Sequence, residues 1–254
     1  MFGAMRLVVT WLGQASFRFD VGGKRILVDP FFAEHEARLY PPESVDEHGA
    51  GVDWLLVTHE HIDHLDPYSL REVAARSPGL TVVAPAPLEA MVRDAAPAAA
   101  FAGVHRGERV ELPGAGSATV VPAIHGRTVA DGYPDDPAFV GFVLDLGGTS
   151  VYHAGDTIVT DTVRRALAPL RVDVALLPVN GRTHYREREG LVGNMGTRDA
   201  VALATEIGAT ILVPIHWDLF RGNTEAPGRA VDDAVADGAP LHVLTLRRGV
   251  PWAL

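Results

Sequence analysis

The chain contains no cysteine. Disulfide staples, thiolate metal sites and a cysteine nucleophile are therefore excluded. It is also short of positive charge, with 22 Lys and Arg against 32 Asp and Glu and a net charge of −10 at pH 7. Phosphate backbones are bound by clustered Lys and Arg, so nucleic acid is not the expected partner. A small anionic substrate held by a few local arginines stays open. No apolar stretch reaches the roughly 18 residues that span a membrane. The opening MFGAMRLVVTWLG lacks the basic start, apolar run and cleavage site of a signal peptide. These absences set the expectation of a cytoplasmic protein with no membrane partner. What is present is a chain of 254 residues, 47% of them apolar, enough for a sizeable core, and 11 histidines whose placement matters more than their number.

Short apolar runs alternate with turn signals. Arg6–Leu12, Ser16–Val21 and Arg25–Asp29 read as strands, with Gly22-Gly23 as a hairpin turn. DWLLVT (53–58) is a continuous apolar run that fits a buried strand. Asp66-Pro67 has the form of an N-cap followed by a first-turn proline, and predicts a helix to about Arg76. A strand over Leu80–Ala84, a helix over Leu88–Ala95 and a hairpin of Arg109–Leu112 with Ala118–Pro122 follow. The pattern then repeats. Phe139–Leu146 and Ser150–His153 flank Gly147-Gly148, and a short helix lies near Asp161–Ala168. Val172–Pro178 and Thr210–Ile215 read as buried strands. Thr197 is expected to cap a helix that Gly208 stops, Pro227–Ala236 to be helical, and Leu241–Leu246 to be the last strand. No strong linker interrupts the chain. The expectation is one α/β domain over residues 1–254, two β-rich layers with helices outside, an αββα sandwich.

Within HEHIDH, residues 59–64, lie His59, His61, Asp63 and His64, directly after a buried-strand pattern. Imidazole and carboxylate suit Zn²⁺, Mn²⁺ or Fe²⁺. His59 and His61 can share one ion, and Asp63 and His64 can reach a second. The cluster supplies at most four ligands, so others must come from elsewhere. His125, Asp156 and His216 each follow an apolar run and are the natural suppliers. A lone histidine or aspartate there is ordinarily a surface, turn or hydrogen-bonded residue. The density of ligand types in HEHIDH is what sets that reading aside.

THEHIDH resembles the THxHxDH signature of the metallo-β-lactamase superfamily. The order of His125, Asp156 in GDT and His216 fits as well, and WLGQASFRFDVGGKRILVDPFF is similar to that superfamily's N-terminal strands. VDVALLPVNGR, GNM and ILVPIHWDLFRGNTEAPG resemble the L-ascorbate-6-phosphate lactonase-like group within it. The resemblance implies the αββα sandwich and two divalent ions, with zinc the first expectation and manganese or iron the alternatives. It implies His59, His61 and His125 on one ion, Asp63, His64 and His216 on the other, and Asp156 between them. Asp63 would also orient water or move its proton.

The implied activity is hydrolysis of a small ester, lactone or phosphoester by metal-activated water. Arg127, Asn180 and Arg182 stand beside the site strands and are candidate substrate contacts, with solvated surface residues as the competing reading. His184 and Tyr185 fall in a segment that fits a rim, Trp217 fits a pocket wall or simple packing, and His153 fits a buried histidine bonded to backbone. A nuclease of the same fold, a di-iron non-hydrolytic enzyme and a metal-binding protein without catalysis are the alternatives. The di-iron class carries Glu where His61 stands. Homo-oligomerisation is left open.

Overall fold

The computed structural model describes residues 6–127, 133–182, 188 and 190–254. Among them, two seven-stranded sheets face one another. The first runs, in spatial order, β16 (Pro251–Ala253), β1 (Val8–Gly13), β2 (Ser16–Val21), β3 (Lys24–Val28), β4 (Trp54–Leu56), β5 (Thr81–Pro85) and β6 (Ala100–Val104). The second runs β15 (His242–Val243), β14 (Ile211–Ile215), β12 (Val174–Pro178), β11 (Thr149–His153), β10 (Val140–Leu146), β8 (Gly116–Pro122) and β7 (Arg109–Leu112). Each sheet is antiparallel where hairpins join its strands and parallel from β3 to β6 and from β11 to β15. The hairpin turns use glycine pairs with positive φ, 59° and 75° at Gly22-Gly23 and 61° and 91° at Gly147-Gly148, which match the twist of the strands they join.

Burial explains the layers. Alternate residues such as Phe17 and Phe19 of β2 point inward to meet Phe142 and Leu144 of β10 in the space between the sheets. The outer face of the first sheet packs Leu55 and Val82 against Leu70 and Val73 of α2 (Pro67–Arg76) and Val92 of α3 (Glu89–Ala95). The outer face of the second packs Tyr152 and Leu177 against α4 (Asp161–Leu167), α5 (Thr197–Glu206) and α6 (Gly228–Ala236). This is the αββα order expected. No helix among the described residues is long and apolar enough to cross a membrane.

Several local expectations differ from the structure. Gly196, not Thr197, holds the N-cap of α5, and no side chain caps it. The Thr197 hydroxyl instead donates to Asp233 at 2.6 Å and ties α5 to α6. In the segment Leu241–Leu246 only His242 and Val243 pair, and the last strand is Pro251–Ala253, which returns to the first sheet beside β1. The edge strand Ala100–Val104 was not foreseen, because AFAGV has little of the β-branched signal that marks a strand. His48, to which the sequence gives no role, is 2% exposed at the end of α1 (Val45–His48), where the Arg18 guanidinium reaches its Nδ1 at 2.8 Å. His184 and Tyr185 lie outside the described residues. Asp66 does cap α2, accepting from the backbone N–H groups of Tyr68 and Ser69.

Candidate metal centre

Parallel strands deliver their C-terminal ends to one edge of a sheet. His59–His64 follow β4, Asp156 follows β11 and His216 follows β14. His125 follows β8 at the same edge. Their ligand atoms fall into two groups, His59, His61, His125 and Asp156 in one and Asp63, His64 and His216 in the other, each group lying within 4.8 Å. Asp156 spans the two. Its Oδ2 is 3.4 Å from His125 Nε2, and its Oδ1 is 3.1 Å from His216 Nε2 and 3.5 Å from His64 Nε2.

Three histidines have their Nδ1 engaged from behind. His64 Nδ1 is 2.7 Å from the Asp29 carboxylate, and His125 Nδ1 is 3.3 Å from the Gly193 carbonyl. Both partners only accept, so Nδ1 carries a proton and Nε2 is the ring nitrogen turned into the site. His59 Nδ1 meets the Thr58 hydroxyl at 3.0 Å. That hydroxyl is spent as a donor on Asp29 at 2.7 Å, so His59 donates to it. His59 Nε2 then faces His61 Nδ1 at 3.0 Å. Thr58 is itself confined, since a Cβ on Gly155 would come within 2.9 Å of it and Gly155 has φ 60°.

The charge pattern divides the site. Burial, reinforced by neighbouring histidines, pushes His59 well below its ordinary pKa, and burial lowers His61 and brings His125 to about 4. These three are neutral imidazoles, the form that binds a cation. Burial also opposes charge on His64 and His216, but Asp156 and Asp63 outweigh it and raise them to about 9 and about 10. Burial would raise Asp63 and Asp156, yet the facing histidines hold both below the ordinary carboxylate range. Two carboxylates with enough field to keep protons on two buried imidazoles also attract a divalent cation, whose entry displaces those protons. The fit to metal is seen in unsatisfied atoms as well: buried His64 Nε2 and Asp156 Oδ1 have no hydrogen-bond partner.

The site opens into a cleft of about 1060 Å³, walled by Phe139, Phe220 and Asn180 among others. Arg127 lines it from β9 (Gly126–Arg127), which pairs with β13 (Leu191–Val192) as a two-stranded ribbon. Asn180 lines it too, bridging Asn223 at 2.8 Å and Asn194 at 2.9 Å. Arg182 is not among the cleft's described lining residues; its guanidinium lies over the Tyr133 ring and is bonded to the Tyr133 hydroxyl at 2.9 Å. Trp217 packs, stacked on Trp11 at 5.4 Å with its indole N–H on the Pro214 carbonyl. The His153 imidazole is buried and bonds to the Ala15 carbonyl at 2.7 Å.

Sequence reasoning missed Gln14 and Asp29. Among the described residues, the non-glycine positions with positive φ are Gln14 (52°), Asp29 (47°) and His216 (60°), and all three stand at this site. Strain confined to one locality is a mark of function. Asp29 ends a buried strand in VDP, the same signature that singled out Asp156, and could have been found that way.

Comparison with known proteins gives the same picture. A family model described as a beta-lactamase superfamily domain matches residues 24–217. The chain belongs to the metallo-β-lactamase superfamily. Among its relatives there is a UPF0173 metal-dependent hydrolase of Methanosarcina mazei, 31% identical over 235 residues and covering 90% of this chain and 92% of that one. Solved structures of the same fold include Igni18, a metallo hydrolase from Ignicoccus hospitalis, at 20% identity and TM-score 0.77, with 98% of each chain covered. Isothiocyanate hydrolase from Delia radicum gut bacteria matches at 17% identity and TM-score 0.76, covering 97% of this chain and 99% of that one. This superfamily member is a metal-dependent hydrolase.

Proposed function

We propose that this hydrolase cleaves a small ester or lactone with water activated between two divalent ions, zinc first among the candidates. The observation that carries the reading is the convergence of His59, His61, His125, Asp63, His64, His216 and Asp156 at the floor of one cleft. Ions held there would lower the pKa of water from about 15.7 toward 7 and polarise the bond under attack. The protein's own groups do the rest. Asp63 has its Oδ2 engaged by Gln14 at 2.8 Å, which leaves Oδ1 to orient water and take its proton. Phe139 lies stacked on His59 with ring centroids 5.0 Å apart and shields that side from solvent. Asn180 and Arg127 line the cleft where the substrate would lie.

The walls favour an uncharged carbonyl substrate over a phosphoester. Glu60, Asp135 and Asp136 line the cleft, and Arg127 is the single Arg or Lys side chain among its described lining residues. A lactonase-like activity fits that balance. Fold likeness alone does not choose a substrate, since the isothiocyanate hydrolase shares this fold.

The test is a panel of p-nitrophenyl esters, lactones and phosphodiesters together with RNA and single-stranded DNA, each assayed with and without chelator. The expected result is chelator-sensitive hydrolysis of esters or lactones, with nucleic acid left intact. Efficient cleavage of RNA or single-stranded DNA would overturn this reading in favour of a nuclease of the same fold.

A further inference from the structure

Two short motifs outside the metal-ligand set, VNGR (179–182) and GNM (193–195), meet at the wall of the cleft. Their backbones pair. The Gly181 N–H donates to the Met195 carbonyl at 3.1 Å, and the Asn194 N–H donates to the Gly181 carbonyl at 3.2 Å. Glycine at 193 permits this approach, since a Cβ there would come within 2.8 Å of the Gly181 carbonyl oxygen. The same turn touches the candidate metal centre, because the Gly193 carbonyl is the group that faces His125 Nδ1.

Three carboxamides cross this junction in a chain. Asn194 Nδ2 donates to Asn180 Oδ1 at 2.9 Å, and Asn180 Nδ2 donates to Asn223 Oδ1 at 2.8 Å. Asn180 follows β12, Asn194 follows β13 and Asn223 follows β14, and all three line the cleft. Asn194 is 1% exposed, and its Oδ1 has no hydrogen-bond partner. A buried oxygen left unmatched costs free energy, yet the amide stays committed to Asn180. Asn180 is thereby gripped from both sides, its oxygen by Asn194 and its nitrogen by Asn223. A carboxamide carries two N–H groups. The second N–H of Asn180 has no partner among the described residues, and the residue is half-buried at the cleft wall.

A donor fixed in this way loses little freedom when it binds, and it penalises a ligand that offers it no acceptor. Polarising the bond under attack is the part given to bound ions, so the amide is left for another oxygen of the substrate. We propose that Asn180 is a specificity-determining residue, whose second N–H, set in place by Asn194 and Asn223, binds a neutral acceptor oxygen of the substrate apart from the bond that is cleaved. The substrate class narrows to small esters or lactones that carry such an oxygen. This inference rests on the ester or lactone reading of the site. Asn194 acts through Asn180, as a positioning residue.

The test compares isosteric pairs that differ by one oxygen in place of a methylene. They are p-nitrophenyl pentanoate against p-nitrophenyl ethoxyacetate and methoxypropanoate, butyl acetate against methoxyethyl acetate, and valerolactone against dioxanone. Each metal-loaded protein gives a ratio of kcat/KM, oxygen analogue over parent. Comparing that ratio between proteins cancels the intrinsic reactivity of the compounds. In Asn180→Leu the ratio is expected to fall roughly 10-fold for at least one pair, the worth of one hydrogen bond. The loss should appear in KM, because a bond to a non-reacting oxygen is made before the transition state. Asn180→Asp keeps the acceptor for Asn194 and removes both N–H groups, so it should lower the same ratio. It decides the matter if circular dichroism shows Asn180→Leu unfolded. Asn194→Ala, which loosens the grip, should lower that ratio by a smaller factor. Equal losses on parent and analogue, leaving every ratio as in wild type, would mark a structural role and overturn the proposal. Wild type that hydrolyses none of these compounds would overturn the ester or lactone reading itself, and this inference with it.

Discussion

Asp63→Ala is expected to fold normally and to lose turnover roughly 10²- to 10⁴-fold, the range contributed by a positioned acid–base group. The fold should survive because Asp63 lies in the loop after β4 and lines the cleft, outside the three apolar clusters that hold the layers together. The chemistry should not survive, for two reasons. The carboxylate is proposed both to hold an ion and to take a proton from water. It is also one of the two carboxylates that raise His64 and His216, so its loss weakens the field that draws a cation into the second half. Steady-state kinetics with metal analysis of the same sample separates these effects. A variant that retains both ions and near-wild-type kcat would show that Asp63 has neither role.

Asp29→Ala is expected to cost about 3–5 kcal/mol of stability, the penalty for breaking up a buried charged network by removing one partner. Asp29 is fully buried and accepts from the Thr58 backbone N–H at 2.8 Å, the Thr58 hydroxyl at 2.7 Å and His64 Nδ1 at 2.7 Å. Alanine would leave those donors without an acceptor. Asp29→Asn separates support of the fold from support of the site. An amide keeps the shape and one acceptor oxygen but presents N–H to His64 Nδ1. The imidazole would then move its proton to Nε2, the atom that faces Asp63 and Asp156. Stability in denaturant should fall less than for alanine, while affinity for the second ion should fall roughly 10- to 100-fold. Equal losses of stability in the two variants, with metal affinity unchanged, would reduce Asp29 to a purely structural residue.

The layers were legible because periodicity and burial agree. SFRFDV alternates and becomes a strand with one buried face, whereas VALLP is apolar throughout and becomes a strand buried on both. The chain's return to the first sheet through Pro251–Ala253 was not legible. Three residues beginning with proline carry almost no strand signal, and their pairing with Val8–Thr10 is a contact between opposite ends of the chain. In the candidate site, the residues of ligand type are legible because they stand directly after apolar runs, and the fold brings them together. Gln14 escaped because glutamine is not an ordinary metal-ligand type, and its place at the site depends on a left-handed backbone and on His216, 202 residues away. Arg182 shows the opposite limit. Its position after a buried strand suggests a substrate contact, but adjacency in sequence does not fix where a long side chain points; its guanidinium lies on Tyr133, and the contact with substrate remains a proposal.

The most direct measurement of the central claim is the metal content of the purified protein, followed through chelation and reconstitution alongside hydrolysis of the best substrate. The account predicts up to two divalent ions per chain, one for each ligand group, with activity lost as they are stripped and regained as they return. Undiminished hydrolysis by protein from which the ions have been removed would contradict it.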